Sequence, residues 1–264
     1  MRLLRSALAV LAASLIGLSA ACGSSSSASG SSTASSPGTK QVDVVASDSW
    51  VGALAKAAGA TNVTLIAPAT VLHAMDYEPT PKEMLAVADA TYVLYSPYDD
   101  FAQQMAKAAG GKAKVVPVQL ENTPATIVSQ VTHLGQVLGT SSTAKAWLAK
   151  FNREYAQLSA QVKAARSDPS QTAAVNVLVG YWATGFAGLT SVGTFGPDDV
   201  TATQLSQLSA KKPALVVGNA ATPNVVPDIP GAKTVMLDNF PGADLDLIQV
   251  FQRNAQLLIS ALKG

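Results

Sequence analysis

The sequence predicts an α/β protein: two doubly wound lobes with parallel sheets, joined by one long rigid helix. Three observations carry this. Short apolar runs alternate with segments of helical spacing from Val42 to Val118, the alternation resumes from Val175 to the C-terminus, and between them Ser142 to Arg166 runs without glycine or proline. Strands and helices in regular alternation argue for a parallel sheet covered on both faces. No fixed-period repeat relates the halves, so their similarity is architectural.

In the first lobe, Val42 to Ala46 reads as a buried strand, Trp50 to Ala58 as a helix ended by Gly59, and Val63 to Ala67 as a second strand. Thr80 to Val87 has helical spacing, Thr91 to Tyr95 is strand-like, Phe101 to Ala109 is helical and Val115 to Val118 is another strand. The long segment then places Trp147, Phe151, Tyr155, Leu158 and Val162 at intervals of three and four, so that one helix face carries all five. At about 1.5 Å per residue it spans more than about 30 Å. Asp168 and Pro169 stop it. Beyond it, Val175 to Val179, Ser191 to Phe195, Leu215 to Val217 and Thr234 to Leu237 read as strands. Ala183 to Gly188, Ala202 to Ser209 and Leu245 to Leu262 read as helices. The lobes are thus expected at 42–141 and 169–264, with the linking helix at 142–168.

The N-terminal end has a different composition. Arg2 and Arg5 precede an apolar run from Leu8 to Leu18, followed by Ser19, Ala20 and Ala21 and then by Cys22, the single cysteine of the chain. A basic start, a short apolar core and a small-residue cleavage point make 1–21 a secretory signal. The core is shorter than the roughly 20 residues a membrane span needs. A lone cysteine at that point resembles the lipobox of bacterial lipoproteins, with the usual leucine one place further back, at Leu18. The resemblance implies that Cys22 is lipidated and holds the protein at the outer face of the cytoplasmic membrane. Residues 22–41 form a Ser/Gly-rich tether that buries too little apolar surface to order itself.

Only 13% of residues are charged, and without Arg2 and Arg5 the 18 basic residues fall to 16 against 17 acidic ones. No basic stripe appears, which excludes nucleic acid as a partner. There is no serine-hydrolase elbow, zinc-protease helix motif or phosphate-binding glycine loop, so an enzyme is not expected.

Residues 73 to 81 read His-Ala-Met-Asp-Tyr-Glu-Pro-Thr-Pro. The part from Asp76 to Pro81 resembles the signature of the zinc and manganese solute-binding proteins of ABC importers. Ala88 and Asp89, the stretch Gly193 to Pro197, Asp238 and the late helix containing Asn254 extend the likeness. The resemblance implies a monomeric binding protein that captures a divalent transition-metal ion, zinc or manganese before copper, and delivers it to an importer permease and its ATPase. The sequence departs from the family at one decisive place. Met75 stands where the family has its histidine, His73 lies two residues earlier, and no second-lobe histidine is present. The other histidine, His133, shares a helix face with Val131, Leu134, Val137 and Leu138 and reads as structural.

Ligands of open α/β sheets bind beyond the carboxyl ends of the strands. That rule gathers Ser47 and Asp48, His73 to Glu78, Pro97 to Asp100, Tyr181 and Trp182, Asn219, and Asp238. The candidate metal ligands are His73, Asp99, Asp238 and Glu78. Imidazole is a general transition-metal ligand and must be neutral to bind, and Asp238 corresponds to the family's second-lobe aspartate. Each has a plainer reading: an exposed loop for His73, a turn before Asn239 and Pro241 for Asp238, and helix capping for Asp99, Asp100 and Glu78. Met75 would favour soft ions such as Cu(I) but is equally a packing residue.

Two alternatives remain open. The Leu134 to Ala146 stretch also resembles the branch of the superfamily that binds metal chelates such as siderophores or cobalamin, and Trp50, Tyr98, Tyr181 and Trp182 fall at strand ends where they could wall a larger ligand. The other is a member that has lost metal binding and acts in adhesion. Cleft size separates them: an ion-sized site for metal, several hundred cubic ångströms for an organic ligand.

Overall fold

The computed structural model describes residues 41–71 and 74–263; the signal segment, Cys22, most of the tether and His73 lie outside them. Two four-stranded sheets organise the chain. The first contains β1 (Asp43–Ala46), β2 (Asn62–Leu65), β3 (Tyr92–Tyr95) and β4 (Lys114–Pro117) in the order β2-β1-β3-β4. The second contains β5 (Thr172–Asn176), β6 (Thr190–Phe195), β7 (Leu215–Asn219) and β8 (Lys233–Leu237) in the order β6-β5-β7-β8. Every pairing is parallel, so each connection must cross over, and short helices do this.

In the first lobe the crossovers are α1 (Ser49–Ala58), α2 (Pro81–Ala88) and α3 (Ala102–Ala108). Then α4 (Pro124–Leu138) leads into α5 (Ser141–Ala164), while α6 (Ala202–Ala210) and α7 (Leu247–Leu262) belong to the second lobe. The strand order has a positional consequence. The chain moves from β1 to one side and then back across to β3, and it repeats this with β5 and β7. Each sheet therefore has a switch point between its two inner strands, which is where ligands of such sheets bind.

The strand and helix expectations hold with four differences. In the sequence α4 is legible only as the helix face around His133, and the structure extends it over Pro124–Leu138. The fifth strand stops at Asn176 instead of continuing to Val179, because the Asn176 side chain accepts from the Leu178 amide at 2.9 Å and folds Val177–Val179 into a tight turn. A single wide helical turn over Trp182–Phe186 replaces the helix expected from Ala183. The long helix ends at Ala164, before Asp168 and Pro169 can act on it.

One apolar core runs through both lobes. The face of α5 read from the sequence supplies it: Phe151 and Val162 are buried, and Trp147, Tyr155 and Leu158 pack against it. Phe251 of α7 lies at its centre, with ring centroids 4.4 Å from Trp182, 5.3 Å from Phe151 and 5.8 Å from both Tyr155 and Phe186. Offset and edge-on aromatic contacts of this kind add to area burial. A Cβ at Gly135 of α4 would come within 2.6 Å of the Ala144 Cβ, so only glycine permits α4 to approach α5 this closely. Smaller clusters cover the outer face of each sheet. No described helix is long and apolar enough to cross a membrane.

Candidate functional site

Asp48 follows β1 after one residue, Ser47. It is the N-cap of α1, accepting from the Val51 amide at 2.8 Å, and is only 1% exposed. Asp99 follows β3, the neighbour of β1 in the sheet, and is 5% exposed. The two strand ends are stitched together: the Ser47 amide donates to the Leu94 carbonyl at 3.0 Å, and the Ser96 amide donates to the Ser47 hydroxyl at 3.0 Å. Burial lifts Asp48 to about 7, and the Asp99 charge adds to it. Burial likewise lifts Asp99 to about 6, with hydrogen bonding by Ser47 and the Ser96 backbone opposing it. The Asp99 charge thus favours the protonated form of Asp48. One Asp99 oxygen, Oδ2, has no partner.

Both carboxylates line a cleft of about 560 Å³ between the lobes. The first lobe contributes Trp50, Met75, Ser96, Tyr98 and Leu120 to its walls, and the second contributes Val177, Leu178, Tyr181, Asn219, Thr222 and Phe240. Trp50 and Thr222 are buried, yet the Trp50 Nε1 and Thr222 Oγ1 atoms have no partner. Tyr181 shares a hydrogen bond with Tyr155 of α5, which ties this wall to the linking helix. Burial, then that bond, raises the Tyr181 phenol above its ordinary range, so it stays protonated. Across the cleft, Asn122 Nδ2 donates to Asn239 Oδ1 at 2.8 Å and joins the lobes.

No protein-family model and no curated protein sequence matches the chain. Solved structures do. The metal-dependent lipoprotein YcdH from Bacillus subtilis superposes with a TM-score of 0.65 at 19% identity, covering 85% of this chain and 100% of that one. The fold is that of the metal-dependent solute-binding proteins. Two further structures with this fold are a Zn(II)-bound variant of AdcAII from Streptococcus pneumoniae (TM-score 0.64, 16% identity, 85% and 100% covered) and the solute-binding protein FpvC from Pseudomonas aeruginosa in complex with Mn2+ (TM-score 0.63, 15% identity, 85% and 99% covered). At these identities the likeness is one of fold.

Within this fold, the residues read from the sequence fall in different places. Asp99 is in the cleft. It is not a helix cap, because the N-cap of α3 is Phe101, which makes no side-chain cap bond, and Asp100 gives its amide to the Met75 carbonyl at 2.9 Å. Glu78 is exposed and does not cap α2; Thr80 and Glu83 form that capping box. Asp238 lines an adjoining depression of about 510 Å³ with Ala69, Val71 and Arg253. Its carboxylate accepts from Arg253 Nε at 2.8 Å, and its backbone is clasped by the buried Asn254, which accepts from the Asp238 amide at 2.9 Å and donates to its carbonyl at 2.8 Å. The structure thus places Asp99 and Asp238 on different depressions. His133 is exposed on α4. Of the four aromatics expected at strand ends, Trp50, Tyr98 and Tyr181 line the cleft and Trp182 is in the core. Among the described residues, no group of three or more His, Cys, Asp or Glu side chains is placed to hold a metal ion.

Sequence reasoning left Asp48 unchosen and passed over Thr222 and Phe240. Asp48 was within reach of the strand-end rule. Thr222 follows β7 by three residues and would have been found by extending the same rule past Asn219.

Proposed function

We propose that this protein is an extracytoplasmic capture protein: it holds a positively charged solute in the interlobe cleft, against Asp99 and Asp48, and presents it to the permease of an ATP-driven importer. The observation that carries this reading is the pair of buried carboxylates at the switch point, one of them with an unpartnered oxygen. Burying two acids side by side costs stability, and a cation bound between them offsets that cost. A divalent transition metal, zinc or manganese, is the solute implied by the sequence resemblance. The Zn(II) and Mn2+ complexes of proteins with this fold support it. Carboxylate oxygens suit manganese, and a neutral His73 imidazole would add the nitrogen that zinc prefers. Asp238, held by Arg253, and the exposed Glu78 have no such support from the described geometry. Lipidation of Cys22 would keep the protein beside its permease, since two acyl chains give stable anchoring.

The test is titration calorimetry of the parent, Asp99→Asn and His73→Ala chains with ZnCl2 and MnCl2 at pH 8. Binding by the parent that falls at least about tenfold in Asp99→Asn supports capture at the cleft. Equal affinity in parent and Asp99→Asn refutes it.

A further inference from the structure

The cleft is much larger than an ion, and among the described residues its carboxylates belong to no group of three or more metal-ligating side chains. An ion with four to six donors at about 2.0 to 2.6 Å would fill a small part of about 560 Å³. That volume is in the range of clefts that enclose small organic molecules, roughly 300 to 1,000 Å³. Among the described residues, large hydrophobic side chains are left exposed at only six positions, and four of these line this one cleft: Met75 and Tyr98 from the first lobe, Val177 and Leu178 from the second. Apolar surface facing apolar surface across a cleft favours an occupant with an apolar body.

The polar groups narrow the class. Three residues lining the cleft, each more than nine-tenths buried, keep an atom without a partner: Asp99 Oδ2, which can only accept when ionised, Trp50 Nε1, which can only donate, and Thr222 Oγ1. A bare metal ion could satisfy the first but offers nothing to the indole N–H. A ligand that satisfies all three carries an N–H cation and, elsewhere on the same body, a hydrogen-bond acceptor.

We propose that the solute taken by this cleft is a small organic cation, a protonated amine or guanidinium on an apolar or aromatic body that also bears a hydrogen-bond acceptor. Its cation donates to Asp99 Oδ2 beside Asp48, and Trp50 Nε1 and Thr222 Oγ1 meet its acceptor. Its body lies between Met75 and Tyr98 on one side and Val177 and Leu178 on the other. This rests on the reading of the cleft as a cation-capture site and replaces the bare ion by an organic carrier of the charge.

Calorimetry on the full chain in detergent at pH 8, with tyramine, octopamine, ZnCl2 and MnCl2 as separate probes, tests it. Circular dichroism verifies the fold of each variant. The expected result is saturable one-to-one binding of tyramine or octopamine. Asp99→Asn should weaken it by more than about tenfold, and Trp50→Phe or Thr222→Val by about three- to tenfold. Metal binding that depends on Asp99, with neither amine bound, overturns the organic class and leaves cation capture standing. Amine binding unchanged in Asp99→Asn overturns both, as does the absence of binding by all four probes.

Discussion

Asp48 and Asp99 bury their carboxylates against the same cleft from adjacent strand ends, and the Asp99 charge is part of what lifts Asp48 to about 7. Asp48 is also the cap of α1. One side chain therefore fixes a helix and supplies a wall of the site, and its protonation bears on both stability and binding.

For stability the sign follows from the direction of the shifts. Both folded values, about 7 and about 6, lie above the ordinary 3.8. The stabilisation from tighter proton binding in the folded state is complete below about 4 and is lost as pH rises through 6 and 7. Asp99→Asn removes a group that becomes a buried charge. Its stability relative to the parent should therefore rise between pH 5 and pH 8, by about 1 to 3 kcal/mol. Urea unfolding at the two pH values reads this, and an unchanged difference between parent and variant would show that Asp99 is not held in the folded state as described.

Cation binding runs the other way with pH. The carboxylates must be ionised to hold a cation, so affinity should climb as pH rises from 5 to 8, with most of the change between 6 and 7, and protons should be released on binding. Calorimetry in buffers of different ionisation enthalpy counts them. A pH-independent affinity would exclude both acids from the site.

Phe251 joins α5, α7 and the Trp182 turn in a single aromatic cluster. Phe251→Ala should cost about 3 to 5 kcal/mol, with both lobes losing protection together because the cluster is shared. Hydrogen exchange showing one lobe intact would argue against a shared core.

Asn254 is fully buried and serves both backbone groups of Asp238. Asn254→Leu should cost about 2 to 4 kcal/mol by leaving these groups unpaired. Arg253→Ala breaks only a half-exposed ion pair and should cost no more than about 1 kcal/mol. Denaturation midpoints that rank the two variants in the opposite order would assign the hold on Asp238 to the ion pair.

Cys22→Ser should release the protein from the membrane fraction into the extracytoplasmic soluble fraction, because one signal segment without acyl chains gives no lasting anchor. Equal retention of parent and variant on fractionation would reject the lipid anchor.

The sequence by itself determined what local chemistry can determine. Period and composition placed the strands and most of the helices within a few residues, α4 being legible only as the face around His133, and the spacing of Trp147, Phe151 and Tyr155 identified the inward face of α5, because a helix turns by a fixed angle per residue whatever surrounds it. Asp99 was legible as an acid at a strand end. The significance of Asp48 was not, since a cap explains an aspartate before a helix completely, and only the order β2-β1-β3-β4 brings the end of β1 beside the end of β3. The same holds for Asp238, whose partner Arg253 is 15 residues away on α7 and meets it through packing. Tyr181 and Trp182 are adjacent in sequence, yet one faces the cleft and the other the core. Strand order, helix docking and the direction of a single turn depend on contacts between residues far apart in the chain, so the tertiary structure alone decided which strand-end residues share a cleft.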